Sequence, residues 1–396
     1  MAEPTRWGPD WPHEALLASW PDLARERTDD IRVVRAPGRV NLIGEYTDIN
    51  AGYVMPAAID LETRIAFVPT DDARVEITRL DTRETAGFAL DRPIERQGSW
   101  IDYVAGTAWA LAERGEPLTG LRGILDSSVP IGAGLSSSAA LEVASAWALS
   151  GPGGPRLAGI GLAQTAQRGE NAFVGVASGL MDQFASVFGV ADAAILLDCR
   201  SLDYRTVRLP LAEHRLVVVH SGAPRRLEAS AYNDRRADCQ RALAVARRIQ
   251  PRVETLRDVD AAMLEQARPS MDETAHRRAR HVISENDRVL ATVAAFAEGD
   301  LDGVGRQWAA SHVSLRDDFE VSIPALDALV EIATATEGVI AARMTGAGFG
   351  GCTVNLLRRD ALERFEAAVE RDYEGRTGLR ARVIPVEAAP GAGRLA

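Results

Sequence analysis

Pro130-Ile131-Gly132-Ala133-Gly134-Leu135-Ser136-Ser137-Ser138-Ala139-Ala140 runs straight into a helix-forming segment expected over about 137–149. Gly132 and Gly134 let the backbone approach a ligand closely, and the first turn of the helix adds unpaired N–H donors and the positive end of its dipole. Ser136, Ser137 and Ser138 add hydroxyls for phosphate oxygens or a metal ion. Two glycines and three serines within residues 132–138 exceed what a helix N-cap needs, so the stretch reads as a phosphate cradle. It is not a Walker A loop, which requires Gly-Lys-Ser/Thr. The chain contains no lysine, and its 45 basic residues are all arginine. Phosphate chemistry here must run on arginine, backbone N–H groups, serine and a metal.

On either side of this loop the pattern is mixed. Residues 31–35, pieces of 61–90, and 121–125 read as strands, and 100–114 as a helix. Gly151-Pro152-Gly153-Gly154-Pro155 breaks the chain. Helix is expected again at 157–171, 227–249, 274–298, 301–312, 323–336 and 360–372, with strands at 193–197, 216–219, 339–343, 352–357 and 381–386. Without regular βαβ alternation, the class is α+β rather than a doubly wound sheet. The 396 residues suggest two domains, divided near 190–210 into 1–200 and 201–396.

Composition narrows the function classes. A chain 46% hydrophobic and 26% charged is typical of a soluble globular enzyme. No apolar run reaches the ~18 residues of a membrane helix, and Met1-Ala2-Glu3-Pro4-Thr5-Arg6 lacks a signal-peptide pattern. Net charge of −11 opposes a non-specific nucleic-acid surface. Cys199, Cys239 and Cys352 form neither a metal pattern nor a disulfide framework, which fits a reducing cytoplasm.

Three further segments carry candidate chemistry. Arg35-Ala36-Pro37-Gly38-Arg39-Val40-Asn41-Leu42-Ile43-Gly44-Glu45-Tyr46-Thr47-Asp48 crowds Arg39, Glu45 and Asp48 onto a Gly-punctuated loop. Carboxylates there suit a polyol, whose hydroxyls donate to them; a solvated turn with a surface ion pair is the plainer reading. Gly179-Leu180-Met181-Asp182-Gln183 places a carboxylate among apolar residues, as a helix cap or a functional group, and Glu170 upstream is a metal ligand or a surface charge. Met344-Thr345-Gly346-Ala347-Gly348-Phe349-Gly350-Gly351-Cys352 matches G-x-G-x-x-G, but a strand rather than a helix follows it. It therefore reads as a hairpin turn near a ligand. His220, His281 and His312 show no triad or zinc spacing and read as structural.

Taken in order, the four segments resemble the GHMP kinase superfamily and, within it, the galactokinase family. The resemblance covers about residues 31–357. It extends to Arg277–Val282, to Ser311–Ser322, and to Glu228-Ala229-Ser230-Ala231-Tyr232. It implies a ribosomal S5 domain 2-like N-terminal domain, an α+β C-terminal domain and a site in the cleft between them. The implied reaction is ATP-dependent phosphorylation of the anomeric hydroxyl of α-D-galactose. By position, Asp182 would accept or orient the hydroxyl proton. Arg39 would stabilise the transferring phosphoryl group and hold Asp182 as a carboxylate. Gly132, Ala133, Gly134, Leu135, Ser136, Ser137 and Ser138 would wrap the triphosphate of ATP, with Trp100 near the adenine. Ser138 and Glu170 would hold Mg²⁺, while Glu45, Tyr46, Asp48, Gly179, Asp182 and Tyr232 would bind the sugar.

Two positions depart from the resembled signature: Tyr46 stands for the usual histidine and Ile49 for the usual tyrosine. Both bear on tolerance at C6 of the sugar. A related sugar-1-kinase acting on galacturonate, arabinose or N-acetylgalactosamine is the neighbouring reading, and an inactive galactose sensor a distant one. The expected partner is galactose or a close analogue, with no nucleic acid or membrane, in a cytoplasmic monomer or weak dimer.

Overall fold

The computed structural model describes residues 7–151, 153–223 and 228–395, with residues 228–230 described in backbone only. The Met1–Arg6 stretch and Pro152 of the expected breaker lie outside the described residues. Two short helices, α1 (Trp11–Ser19) and α2 (Pro21–Glu26), lead into β1 (Arg32–Asn41), β2 (Tyr53–Val54), β3 (Pro56–Thr70), β4 (Arg74–Arg79) and β5 (Thr85–Ala89). Then come α3 (Ile101–Glu113), β6 (Gly120–Ser127), α4 (Ser137–Leu149), α5 (Ile160–Arg168), α6 (Met181–Phe188), β7 (Ala193–Asp198) and β8 (Tyr204–Arg208). The rest of the chain runs β9 (His214–His220), α7 (Glu228–Ile249), α8 (Ala261–Ala267), α9 (Glu273–Glu298), α10 (Leu301–Asp317), α11 (Pro324–Ala335), β10 (Val339–Thr345), β11 (Cys352–Arg358), α12 (Leu362–Thr377), β12 (Arg382–Val386) and β13 (Gly393–Arg394). Among the described residues, no helix is long and apolar enough to cross a membrane.

The strands form a six-stranded sheet in the order β13-β1-β3-β6-β4-β5, a four-stranded sheet β10-β11-β9-β12, and a three-stranded sheet β2-β7-β8. Only the β4–β6 pair among them is parallel. The class is α+β, as the pattern predicted. Local chemistry explains many boundaries: Asp272 caps α9 by accepting from the Ala275 N–H, and Gly299 ends it in the left-handed region. Pro324 opens α11.

Several expectations shift. The helix expected over 157–171 ends at Arg168 and passes into a single π-helical turn, Gly169–Val174. The strand expected over 31–35 runs on to Asn41. Its polar and glycine-rich continuation obscures that length, although residues 36–41 are all buried. Gly393 and Arg394 pair with Arg35 and Val34, so the end of the chain rejoins the first sheet.

One core cluster packs Val40 and Ile59 against Leu216, Val354 and Trp308, joining the two larger sheets. Leu135, from the Gly/Ser loop, is wholly buried in it. That loop lies directly against β1, where the register shifts between Pro37 and Arg39. The Arg39 N–H donates to the Leu135 carbonyl at 3.0 Å. A Cβ on Gly38 would sit 2.6 Å from that carbonyl, so only glycine admits the approach.

The tail also ties down this region. Ala389 N–H donates to the Ala58 carbonyl, Gly391 N–H to Gly189, Ala392 N–H to Ser186 and Leu395 N–H to Val33, while the Arg35 guanidinium donates to the carbonyls of Pro390 and Gly391. At roughly 0.5–1.5 kcal/mol net for each bond, truncation after Glu387 is expected to cost about 3–9 kcal/mol. Denaturant unfolding of the truncated chain checks this, and a midpoint equal to that of the full chain would show that the tail contributes nothing.

Candidate active site

A cavity of about 770 Å³ is lined by residues from the 36–48 segment, the Gly/Ser loop, the start of α6 and the β10–β11 hairpin. At its heart is an ion pair. Arg39, at the buried end of β1, donates from Nε and Nη2 to the two oxygens of Asp182, each at 2.8 Å, and from Nη1 to the Gly134 carbonyl at 2.6 Å. Ser136 Oγ donates to the same Asp182 carboxylate. Asp182 stands in the first turn of α6 with its side chain about a quarter exposed, while Arg39 is 5% exposed. The pair is therefore buried on the arginine side and open on the carboxylate side.

Neither Ser136 nor Asp182 caps a helix with its side chain. Ser136 precedes α4 with φ +60° and makes no side-chain cap. Its hydroxyl goes to Asp182 instead, leaving the first N–H groups of α4 uncapped by it. Gly132, Gly134, Ser136, Ser137 and Ser138 line the cavity. Ala133 and Leu135, expected to wrap a triphosphate, do not line it. Both are wholly buried in the core cluster that includes Val40 and Trp308.

Glu45, Tyr46, Asp48, Gly179 and Tyr232 form one group of lining residues. A Cβ on Gly179 would fall 1.8 Å from Asp48 Oδ2, so glycine is required for that carboxylate to lie where it does. Tyr46 takes φ +66°, unusual for a bulky residue. It is held there by stacking on Tyr232 at 5.1 Å, by a tilted ring contact with Phe319 at 4.5 Å, and by donation from its hydroxyl to the Ala347 carbonyl at 2.6 Å. Since that carbonyl belongs to the hairpin turn between β10 and β11, the fourth segment does approach the site as a hairpin. Trp100 lines another wall with Thr63, Arg79 and Tyr103, and its buried Nε1 has no hydrogen-bond partner among the described residues.

Sequence reading missed the groups that hold Glu45. Its carboxylate pairs with Arg343, which is fully buried on β10, and accepts from the Gly346 N–H at 3.1 Å. Glu285 of α9 accepts from the Gly44 N–H at 3.0 Å, from Ser311 at 2.6 Å and from Arg288 at 2.7 Å. His281 Nε2 donates to the Glu45 carbonyl at 3.1 Å and its Nδ1 accepts from Ser314 at 2.9 Å, a structural histidine as expected. A signal was present: Arg343 is a lone charge in Val339-Ile340-Ala341-Ala342-Arg343-Met344, and a buried strand tolerates a cation only with a carboxylate partner.

The electrostatics follow from burial and crowding. Burial, then the neighbouring Asp182 carboxylate, pushes Asp48 up to about 6. Burial likewise raises Glu45, against the pull of Arg343, and raises Glu170. Burial pushes Glu285 up as well, but Arg288, His281 and Arg343 outweigh it and hold it at about 2. Burial lowers His281 to about 4, so its ring is neutral at pH 7. The cavity thus gathers Asp48, Asp182 and Glu170 around one arginine, Arg39. Glu170 accepts hydrogen bonds from Ser178 and Gln183 and lines the cavity together with Ser138. A carboxylate and a hydroxyl open to a cavity are the hard oxygen donors that a magnesium ion shares with phosphate oxygens and water.

Comparison with known proteins agrees in every segment. Family models match residues 25–69 (galactokinase galactose-binding signature), 102–190 (GHMP kinases N terminal domain) and 292–375 (GHMP kinases C terminal). A galactokinase of Roseiflexus sp. (strain RS-1) is 44% identical over 363 residues, spanning 92% of this chain and 93% of its own. One from Chloroflexus aurantiacus is 44% identical across 91% of this chain and 92% of its own. Among solved structures, Lactococcus lactis galactokinase complexed with galactose superposes with a TM-score of 0.91 at 34% identity, covering 96% of this chain and all of that one. Methanococcus jannaschii mevalonate kinase, at 19% identity and a TM-score of 0.63, shares the fold.

Asp48 provides a test of these electrostatics. Its pKa is higher folded than unfolded, so ionising it costs stability, a cost absent below about pH 4 and complete above about pH 6. Asp48→Asn is therefore expected to raise Tm at pH 8 by roughly 2–3 °C, from about two pKa units spread over a chain of this size. The gain should vanish near pH 4. A Tm unchanged or lowered at pH 8 would contradict the assignment.

Proposed function

The chain belongs to the galactokinase family of the GHMP kinases, and on that premise we propose that it transfers the γ-phosphoryl group of ATP to the anomeric hydroxyl of α-D-galactose. The observation that carries this reading is the Asp182 carboxylate. It is fixed by Arg39 and by Ser136 of the Gly/Ser loop, and it stands beside Asp48 in the same cavity. A proton acceptor, a phosphate cradle and a polyol-binding group therefore meet at one place.

Asp48, with the Gly179 backbone against it, accepts from sugar hydroxyls. Glu45 keeps lone pairs for a hydroxyl beyond those taken by Arg343 and Gly346. The Tyr46 hydroxyl donates its hydrogen bond to the Ala347 carbonyl, so toward the sugar it accepts. Tyr232 closes this group by stacking on Tyr46. Asp182 takes the proton of the attacking hydroxyl, and a carboxylate held at both oxygens is oriented for this without rearrangement. The Arg39 guanidinium sits beside the same point and offsets charge on the transferring group. The uncapped N–H groups at the start of α4, with Ser137 and Ser138, receive phosphate oxygens. Trp100, with its unpartnered Nε1, offers a face and a donor to the adenine. Ser138 and Glu170 would hold Mg²⁺, which when bound neutralises phosphate charge. The three cysteines are free, which supports a cytoplasmic enzyme, and the acidic net charge opposes a nucleic-acid partner.

ADP release with Mg·ATP and a panel of galactose, 2-deoxygalactose, talose, galacturonate, N-acetylgalactosamine and glucose tests the reading. Strong turnover on galactose, with weak galacturonate and glucose, is expected, since an anionic sugar would face Asp48 and Glu45. Turnover confined to another sugar would overturn the substrate. No turnover while galactose still binds would favour a sensor. Asp182→Asn should retain galactose binding and lose turnover by about 10²–10⁴-fold. Near-wild-type turnover in that variant would refute the role of Asp182.

A further inference from the structure

Glu142 lies one helical turn beyond Ser138 on α4, is wholly buried, and has no part in the chemistry above. Its Oε2 accepts from Gln183 Nε2 at 2.9 Å, and the same nitrogen donates to Glu170 Oε2 at 2.9 Å. One amide therefore spans two carboxyl groups. The remaining oxygens, Glu142 Oε1 and Gln183 Oε1, are buried without a hydrogen-bond partner among the described residues, and so is Ser145 Oγ one turn further along α4. Buried polar atoms left unpaired cost stability, and a well-packed apolar pair would avoid that cost. Helix packing alone gives no reason for a carboxyl group and an amide here.

Their position gives one. Ser138 and Glu142 stand four apart on the same face of α4. Glu170 is tied to that face through Gln183 and lines the cavity together with Ser138. Gln183 directly follows Asp182, so the first turn of α6 turns one side chain to Arg39 and Ser136 and the next to Glu142 and Glu170. The terminal torsion of a glutamine is broad and roughly two-fold. With both acceptors present, the Gln183 nitrogen is fixed; with Glu142 removed, the amide is free to turn. Glu170 Oε2 would then keep Ser178 and lose Gln183.

We infer that Glu142 is a positioning residue that, through Gln183, fixes the orientation of the Glu170 carboxylate toward the metal ion of Mg·ATP. This rests on the kinase reading of the cavity. Partners one shell out from a metal ligand commonly change metal affinity 10–100-fold when removed.

The test compares Glu142→Leu, Glu142→Gln and Gln183→Leu in the full chain. It uses the Mg²⁺ concentration giving half-maximal turnover and, separately from activity, the Mg²⁺-dependent thermal shift produced by a non-hydrolysable ATP analogue. Glu142→Leu and Gln183→Leu should each raise the half-maximal Mg²⁺ concentration about 10-fold or more. Both should shrink the Mg²⁺-dependent thermal shift and leave KM for galactose within about twofold. Glu142→Gln keeps an acceptor for Gln183 and should stay near wild type in both readouts. Lower Tm or kcat with unchanged Mg²⁺ dependence in the leucine variants would mean a structural role only and would overturn the inference. So would a Glu142→Gln that fails as badly as Glu142→Leu. If Glu142→Leu does not fold, Gln183→Leu decides alone. A wild type that turns over no sugar would sink the kinase reading, whereas an active wild type with variants unchanged in Mg²⁺ dependence would sink only this inference.

Discussion

The bidentate contact between Arg39 and Asp182 is the constraint on which the rest of the site depends. Arg39 comes from the end of β1 and Asp182 from the first turn of α6, 143 residues apart. Ser136, from the loop before α4, binds the same carboxylate, and the third arm of Arg39 holds the Gly134 carbonyl. Three elements are thus registered by one guanidinium. Removing one partner of such a pair strands the other charge, at about 3–5 kcal/mol. The same geometry leaves the face of Asp182 toward the cavity open. Stability and reactivity therefore draw on one contact: the buried arginine fixes the carboxylate, and the exposed side of the carboxylate is left for chemistry.

A second buried network serves the sugar-facing loop. Glu45, Arg343 and Glu285 are each no more than 2% exposed, and an ion pair at that depth gains little over apolar packing. What it supplies is position. Glu285 catches the Gly44 N–H, Arg343 catches the carbonyls of Asn41 and Leu42, and His281 catches the Glu45 carbonyl. Each bond lands on the backbone of residues 41–45, just before Tyr46 in its unfavourable left-handed conformation. Strain at a functional loop persists only where the surroundings over-determine it, and here β10, α9 and α10 do so together.

Much of this was legible in the sequence, for identifiable reasons. The helix over 137–149 was predicted with its observed boundaries, because a glycine-rich turn and a run of serines mark its start sharply. The hairpin at 346–351 followed from a strand, not a helix, after the glycines. Arg39, Glu45, Asp48 and Asp182 stood out as charges on glycine-punctuated or apolar segments. Less legible were short elements, such as α6, only eight residues long, and the π-helical turn at Gly169–Val174. For partners distant in sequence the pattern shows at most that a partner is needed, not which residue it is. Nothing near Glu45 announces Arg343, and Glu142 reads as one charge in an alanine-rich helix until Gln183 is brought beside it. Read as a unit, the loop places Ala133 and Leu135 at the ligand with its glycines and serines, whereas these two side chains are buried in the core.

The most direct test is a crystal structure of the chain with galactose, Mg²⁺ and a non-hydrolysable ATP analogue. The account predicts the anomeric hydroxyl within about 2.6–3.2 Å of Asp182, the other hydroxyls on Asp48 and Glu45, and the triphosphate over Gly132–Ser138 with its terminal phosphate facing the sugar. A sugar turned so that another hydroxyl meets Asp182, or a triphosphate bound away from the Gly/Ser loop, would contradict it.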